Sequence, residues 1–134
     1  MKLVSVYREQ KAAELLYCLL KERDPYINIS HCKMPSWRAH LNFIARKPYA
    51  AWYLIQVEDV KVGAIYLSKT NEIGVFILKR FQRQGYGKQA IKMLIKKHGR
   101  KRYLANINPL NERSIKMFEN LGFRLLQETY ELRP

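Results

Sequence analysis

At 134 residues the chain has the size of one domain and is too short for two ordinary ones. A domain of this length buries roughly two-thirds of its unfolded surface, so neither disulfides nor a structural metal are needed for folding, and 48% apolar residues spread along the chain argue against disorder. Lys and Arg number 25 against 11 Asp and Glu, a formal charge of +14 that suits nucleic acid, an acidic membrane surface or a polyphosphate ligand, and says nothing about fold.

Residues 3–7 read as a short strand. A helix is expected over 9–23, where Ala12, Leu15, Leu16, Leu19 and Leu20 recur at helical spacing before Asp24-Pro25 ends it. Cys18 falls in that apolar pattern and is expected in the core. It makes no metal-ligand spacing with Cys32, and two thiols without a secretion signal point to a reducing compartment. Residues 26–35 are irregular. Ser36 then reads as the N-cap of a second helix carrying Trp37, His40, Leu41 and Ile44, closed by Lys47-Pro48.

From Ala50 the texture becomes β-rich. Strands are expected over 51–57, 61–68 and 72–78, joined by turns at Glu58-Asp59 and Lys69-Thr70-Asn71, which gives an antiparallel meander. Residues 86–98 form a helix with Ala90, Ile91, Leu94 and Ile95 on one face. A strand is expected next, over 102–107. A helix over 111–121 carries Ile115, Phe118 and Leu121 on one face and stops at Gly122, read as a left-handed cap. Residues 123–132 supply one or two closing strands. The order β-α-α-β-β-β-α-β-α-β(β) describes a single mixed α/β domain over residues 1–134, with a mostly antiparallel sheet flanked by helices. The basic stretch at residues 96–102 reads as a solvated helix end and turn. With no signal peptide and no run of about 18 apolar residues, the expectation is a soluble, cytoplasmic protein with no membrane partner.

The most informative segment runs from Asn71 to Lys88. A buried strand enters a polar turn, and Gly85 and Gly87 then open a helix. Glycines there let the backbone approach a ligand closely. The first helical N–H groups lack internal partners, and the helix dipole favours negative charge at that end. Arg80, Arg83 and Lys88 add positive potential, so a phosphate site is the chemical reading. A plain tight strand-to-helix connection is the alternative. The segment is no Walker loop, since no Gly-Lys-Ser/Thr occurs at P-loop spacing, and no Rossmann fingerprint, since the third glycine is missing.

Gln82-x-x-Gly85-x-Gly87 resembles the Q/R-x-x-G-x-G/A signature of the GNAT family of N-acetyltransferases. The segment from Asn111 to Phe123 resembles that family's second motif, N-x-x-A/S and then Y-x-x-x-G-F. Together the motifs cover roughly residues 50–132, in the family's order and spacing. The resemblance implies acetyl-CoA as cofactor and CoA as product. It implies cofactor contacts at Val75, Phe76 and Ile77 on the strand, and at Gln82, Arg83, Gln84, Gly85, Tyr86, Gly87 and Lys88 in the turn. Asn111, Ser114 and Phe118 on the next helix complete that set.

The family reaction is direct attack of a neutral amine on the thioester carbonyl, which needs an oxyanion donor, a base and often an acid for the thiolate. The Ile77 N–H is the expected oxyanion donor. Glu72, at the start of the strand, is the expected base, or else a solvated turn carboxylate. The family's general-acid tyrosine falls on Phe118, which has no proton to give. Ser114 and Tyr130 are substitutes, although Ser114 also reads as a first-turn hydroxyl satisfying the backbone. Arg83 stands where glycine is common, and Lys79 where proline is common.

Acceptor choice in the family resides mainly in the first two helices and the loop between them. Pro-x-Ile-Asn and then an x-His-Leu-x-Phe helix, within residues 25–43, are similar to acetyltransferases of nucleotide-linked 4-amino sugars. His31, Trp37 and His40 are the candidate acceptor-binding residues, with ordinary loop and helix-face roles as the alternative for the histidines. No fourth ligand accompanies His31, Cys32 and His40, so no metal is expected. The acceptor is a small-molecule or peptide amine, and a homodimer is the oligomer the resemblance suggests. Two other readings remain open. One is a basic nucleic-acid-binding module, which no helix-turn-helix, zinc-finger or RNA-recognition signature supports. The other is a non-catalytic acyl-CoA-binding domain on the same fold.

Overall fold

The computed structural model describes residues 1–23 and 33–134. Among these, four strands form one sheet in the order β1-β2-β3-β4: β1 (Lys2–Ser5), β2 (Ala51–Val57), β3 (Val60–Leu67) and β4 (Ile73–Ile77), all antiparallel to their neighbours. The helices are α1 (Ala12–Glu22), α2 (Trp37–Ala45), α3 (Tyr86–Lys97) and α4 (Glu112–Asn120). The expected mixed α/β architecture is present. Residues 24–32, which include His31, Cys32 and the Asp24-Pro25 stop, lie outside the described residues.

Side-chain alternation along the strands makes two cores, one on each face of the sheet. Ile55, Ile65, Leu67 and Ile73 meet Ala90, Ile91 and Leu94 of α3 and Phe118 of α4. On the other face Trp52, Leu54 and Ala64 meet Ala12, Leu16 and Leu19 of α1. Cys18, expected inside, is exposed. It lies two residues beyond Leu16, and positions two apart do not share a helix face.

Local chemistry fixes the helix ends. The Ser36 hydroxyl accepts from Ala39 N–H at 3.1 Å and starts α2. At the end of α4, Gly122 N–H bonds Glu119 O at 2.9 Å and Phe123 N–H bonds Phe118 O at 3.0 Å. With φ of 97° at Gly122, this is a Schellman stop, and the Phe118 and Phe123 rings close its hydrophobic contact at 5.0 Å. The Gly-Phe pair of the second sequence motif therefore has a purely structural duty.

Two further expectations fail. The strand expected over 102–107 is reduced to one parallel bridge between Glu72 and Leu104. The closing strands expected over 123–132 are absent: residues 123–134 carry no regular structure, and Leu125 and Leu132 are 81% and 86% exposed. Strand propensity describes a segment's fit to a pleated surface and supplies no partner edge. Here no neighbouring strand among the described residues receives these segments.

Because Gly122 holds a left-handed φ, Gly122→Ala is expected to lower stability by about 1 kcal/mol. Urea unfolding monitored by circular dichroism checks this; an unchanged midpoint would show that the stop does not need glycine.

Candidate acyl-CoA site

β4 is the edge of the sheet. On its inner side Glu72 O accepts from Ser68 N–H at 2.8 Å, and Leu78 N–H donates to Val62 O at 2.9 Å. Backbone groups alternate sides along a strand, so Ile73, Val75 and Ile77 turn theirs outward. Ile73 N–H reaches Leu104 O at 2.8 Å, and with that single bridge the pairing ends. Beyond it, among the described residues, no strand covers the outward groups of Val75 or the N–H of Ile77. Ile77 O is taken by Gln82 Nε2 at 2.9 Å.

Gln82 couples the strand to the glycine turn and to α4. Its Oε1 accepts from Arg113 of α4 at 3.0 Å, so one side chain ties the end of β4, the turn and that helix together. The turn itself is held by backbone in the left-handed region, with φ of 66° at Arg83 and 79° at Gly85. An arginine at such a φ is uncommon, and the site suits glycine better. Gln89 is the first α3 residue whose N–H bonds within the helix, to Gly85 O at 3.1 Å, which leaves the N–H groups of Tyr86, Gly87 and Lys88 without helical acceptors. Nothing stands within 4 Å of a Cβ built at Gly85, so the approach is open. A Cβ on buried Gly87 would lie 3.3 Å from Met117 Sδ, which explains the second glycine as a close packing of α3 on α4. No acidic side chain occupies the first turn of α3.

On α4, Asn111 Oδ1 accepts from Ser114 N–H at 3.3 Å and caps the helix. Ser114 is half-buried, whereas Phe118 is buried in the core against Phe123. Tyr130 is 88% exposed in the unstructured tail, its hydroxyl donating to Glu128. The structure thus lines Val75, Ile77 and the turn along one edge, places Glu72 just before the same strand with its carbonyl turned to Ser68, and leaves Tyr130 outside. Phe76 faces its backbone to β3 and its ring to the opposite side of the sheet.

That opposite side holds a cavity of about 260 Å³ between α1, α2 and the sheet. Tyr66 lies over Gly74, where a Cβ would come within 2.1 Å of the ring, and it stacks on Tyr49 at 3.9 Å and 7°. Glu72, Gly74 and Phe76 share this face by alternation, and the carboxylate of Glu72 acts electrostatically on Tyr66. Arg23 closes the cavity with its guanidinium 3.8 Å from the Phe76 ring centre. Glu22 positions it by accepting from Lys79 N–H at 2.7 Å, which clamps the end of α1 to the end of β4. His40 is buried, with Nε2 2.8 Å from Ala13 O, so that nitrogen carries the proton and the ring braces α1 against α2. Trp37 is exposed and packs edge-on against Tyr17 at 5.1 Å.

Arg23, Tyr49 and Tyr66 were not legible as site residues in the sequence. Arg23 was only the last residue of the first expected helix, and the tyrosines converge only once the β3–β4 register is known.

An edge strand left open at Val75 and the Ile77 N–H runs through a glycine turn into a bare helix N-terminus, an arrangement that suits an extended, phosphate-bearing ligand. A sequence model of the Acetyltransferase (GNAT) family matches residues 13–123, and the chain belongs to that family. No curated protein sequence matches. Among solved structures the chain is similar to a domain from Methanocaldococcus jannaschii DSM 2661, at 22% identity and TM-score 0.80, covering 97% of this chain and 92% of that one. It is similar to yncA of Salmonella typhimurium, solved with its cofactor acetyl-CoA, at 15% identity and TM-score 0.66, covering 91% and 77%. It is also similar to aminoglycoside 6'-N-acetyltransferase of Acinetobacter haemolyticus, at 14% identity and TM-score 0.70, covering 100% and 98%. These likenesses show the fold. Acetyl-CoA is the family's cofactor, and the residues present fit it: free helical N–H groups and nearby cations for a diphosphate, and an open strand edge for an amide-bearing arm. Among the described residues no helix is long and apolar enough to cross a membrane, and no group of three His, Cys, Asp or Glu side chains could hold a metal.

Burial raises the Tyr49 and Tyr66 phenols above their ordinary 10.0. Both therefore hold their protons more tightly folded than unfolded, so their contribution is complete below pH 10.0 and is lost as pH rises above it. Melting temperatures across that alkaline range should fall less steeply for Tyr49→Phe than for the parent. Parallel curves would contradict the burial of this phenol.

Proposed function

We propose that the chain is an acetyl-CoA-dependent N-acetyltransferase that moves the acetyl group directly to a primary amine. The observation carrying this reading is the continuity between the open edge of β4 and the bare N-terminus of α3 in a GNAT-family chain. Acetyl-CoA, when bound, supplies the acetyl thioester and departs as CoA. The N–H groups of Gly85, Tyr86, Gly87 and Lys88, with Arg83 and the Lys88 ammonium, hold the diphosphate. Val75 offers its outward N–H and C=O to the pantetheine amides, and Asn111 and Ser114 flank the same arm from α4.

The new C–N bond forms at the carbonyl carbon and the C–S bond breaks. Ile77 N–H, free on the outer edge, donates to the carbonyl oxygen as its charge grows. Glu72 lies on the cavity face at the start of β4 and receives the proton lost by the amine. Ser114 is the acid candidate for the thiolate, because Phe118 has no proton and Tyr130 stands in solvent. The acceptor enters from the cavity face. Trp37, exposed on α2 against Tyr17 and His40, is proposed as an acceptor contact; His31 is proposed as a further contact and lies outside the described residues. An amino sugar, a small amine or a protein N-terminus are the acceptor classes, the first supported by the residue 25–43 pattern.

The missing tyrosine favours a second reading, acyl-CoA binding without turnover. Thermal shift with acetyl-CoA, and then thiol release over an amine panel, separates the two: binding with release on any amine supports the transferase, and binding without release supports the second reading. No shift with acetyl-CoA would overturn both. Glu72→Gln should lower kcat by about 10²-fold or more and remove the acidic limb of the pH–rate profile, with acetyl-CoA affinity retained. An unchanged profile would remove Glu72 from the mechanism. Lys88→Glu places a carboxylate where the helix dipole favours one, so folding is preserved while acetyl-CoA binding should weaken about tenfold. Equal affinity by calorimetry would place the diphosphate elsewhere.

A further inference from the structure

We infer that the cavity between α1, α2 and the sheet takes an anionic group, a carboxylate or a phosphate carried by the acceptor, with Arg23 as its cation and the Tyr49 and Tyr66 hydroxyls as flanking donors. The anion site stands on its own geometry, and that it belongs to an amine acceptor rests on the transferase reading above.

Arg23 is the cation such a group would meet. Its Nε is buried and has no hydrogen-bond partner. A guanidinium presents five donors in a fixed fork and keeps its charge in proteins, so a buried nitrogen without an acceptor is costly. Among the described residues no carboxylate forms an ion pair with it. Its neighbour Glu22 is turned to Lys79 N–H, and Glu72 is felt by Tyr66. The cation stands over the Phe76 ring at 3.8 Å, which partly compensates its charge, and Arg23 is itself part of the cavity lining.

The surroundings agree in sign. The cavity's described lining contains a second cation, Arg46, and no Asp or Glu. Tyr49 and Tyr66 interact electrostatically with Arg23 and stay protonated through the physiological range, so they act as donors. Apart from His40, whose Nε2 is taken by Ala13 O, the remaining lining is apolar and includes Trp52, Phe43 and Phe76. Charge-assisted hydrogen bonds are strongest where water is excluded. At about 260 Å³ the space far exceeds what one water needs, roughly 15 Å³, and admits a small ring bearing an anion.

Calorimetry on the full chain with benzoate, phenyl phosphate and benzyl alcohol tests the site without turnover. Either anion should bind about tenfold or more tightly than the alcohol, and Arg23→Met should abolish that preference while Arg23→Lys keeps part of it. The stronger anion identifies the group as carboxylate or phosphate. Equal binding of all three probes, or a preference that survives Arg23→Met in a variant with parental melting, overturns the inference. Acetyl-CoA binding is measured on the same samples. If the anions bind through Arg23 and acetyl-CoA does not bind, the transferase reading falls and the anion site stands. Acetyl-CoA binding without any anion preference gives the reverse. Where both hold, thiol release with tyramine, tyramine O-phosphate and 4-(2-aminoethyl)benzoate should show a KM advantage for one anionic amine that Arg23→Met removes; a KM advantage absent from both would detach the site from the acceptor.

Discussion

A β-strand must place its backbone polar groups on both sides, and β4 places only one side in the sheet. Its inner groups are bonded to β3, while its outer groups meet one bridge at Leu104 and the Gln82 amide at Ile77 O, and among the described residues no strand covers the rest. Leaving such groups dry and unpaired would be expensive, so an open edge next to a packed core is either wet or reserved for a ligand. The surrounding structure keeps it open. Gln82 closes off Ile77 O and fastens the turn to α4 through Arg113, and Gly87 lets α3 pack against α4 close to the strand. The helix N-terminus is thereby held at the end of the same edge.

The sheet separates two jobs. Its α3 face, filled by Ile65, Leu67, Ile91 and Leu94, is a rigid support for the edge and the turn. Its other face is not fully filled: α1 and α2 leave a cavity whose wall is the Tyr49–Tyr66 stack and whose cation is Arg23. Glu72 sits just before β4 with its backbone bonded to Ser68 and its side chain on the cavity face, on the same strand whose next outward groups form the edge. A strand is the one element that can join an amide-rich edge to a side-chain pocket through a single residue, because its backbone and side chains point at right angles.

Much of this was legible in the residues. Strand β2 and helix α3 come directly from hydrophobic period and turn residues, and the Gln82–Lys88 turn carried both a physical and a family signature. The Ser36 cap and the Gly122 stop were readable because capping is local chemistry. The features that escaped were non-local. Residues 102–107 and 123–132 look like strands, yet a strand exists only with a partner edge. Cys18 belonged to an apolar run but to the wrong face of its helix. Arg23 needed the Glu22–Lys79 clamp and the β3–β4 register before its position meant anything.

On the proposed reading the outer edge of β4 binds ligand through its backbone. Amide hydrogen exchange at Val75 and Ile77, measured with and without acetyl-CoA, tests it most directly. Protection of both amides on binding, with Gly74 and Phe76 little changed because β3 already holds them, is the predicted result. Protection confined to residues away from this strand, or none at all under saturating cofactor, would contradict the account.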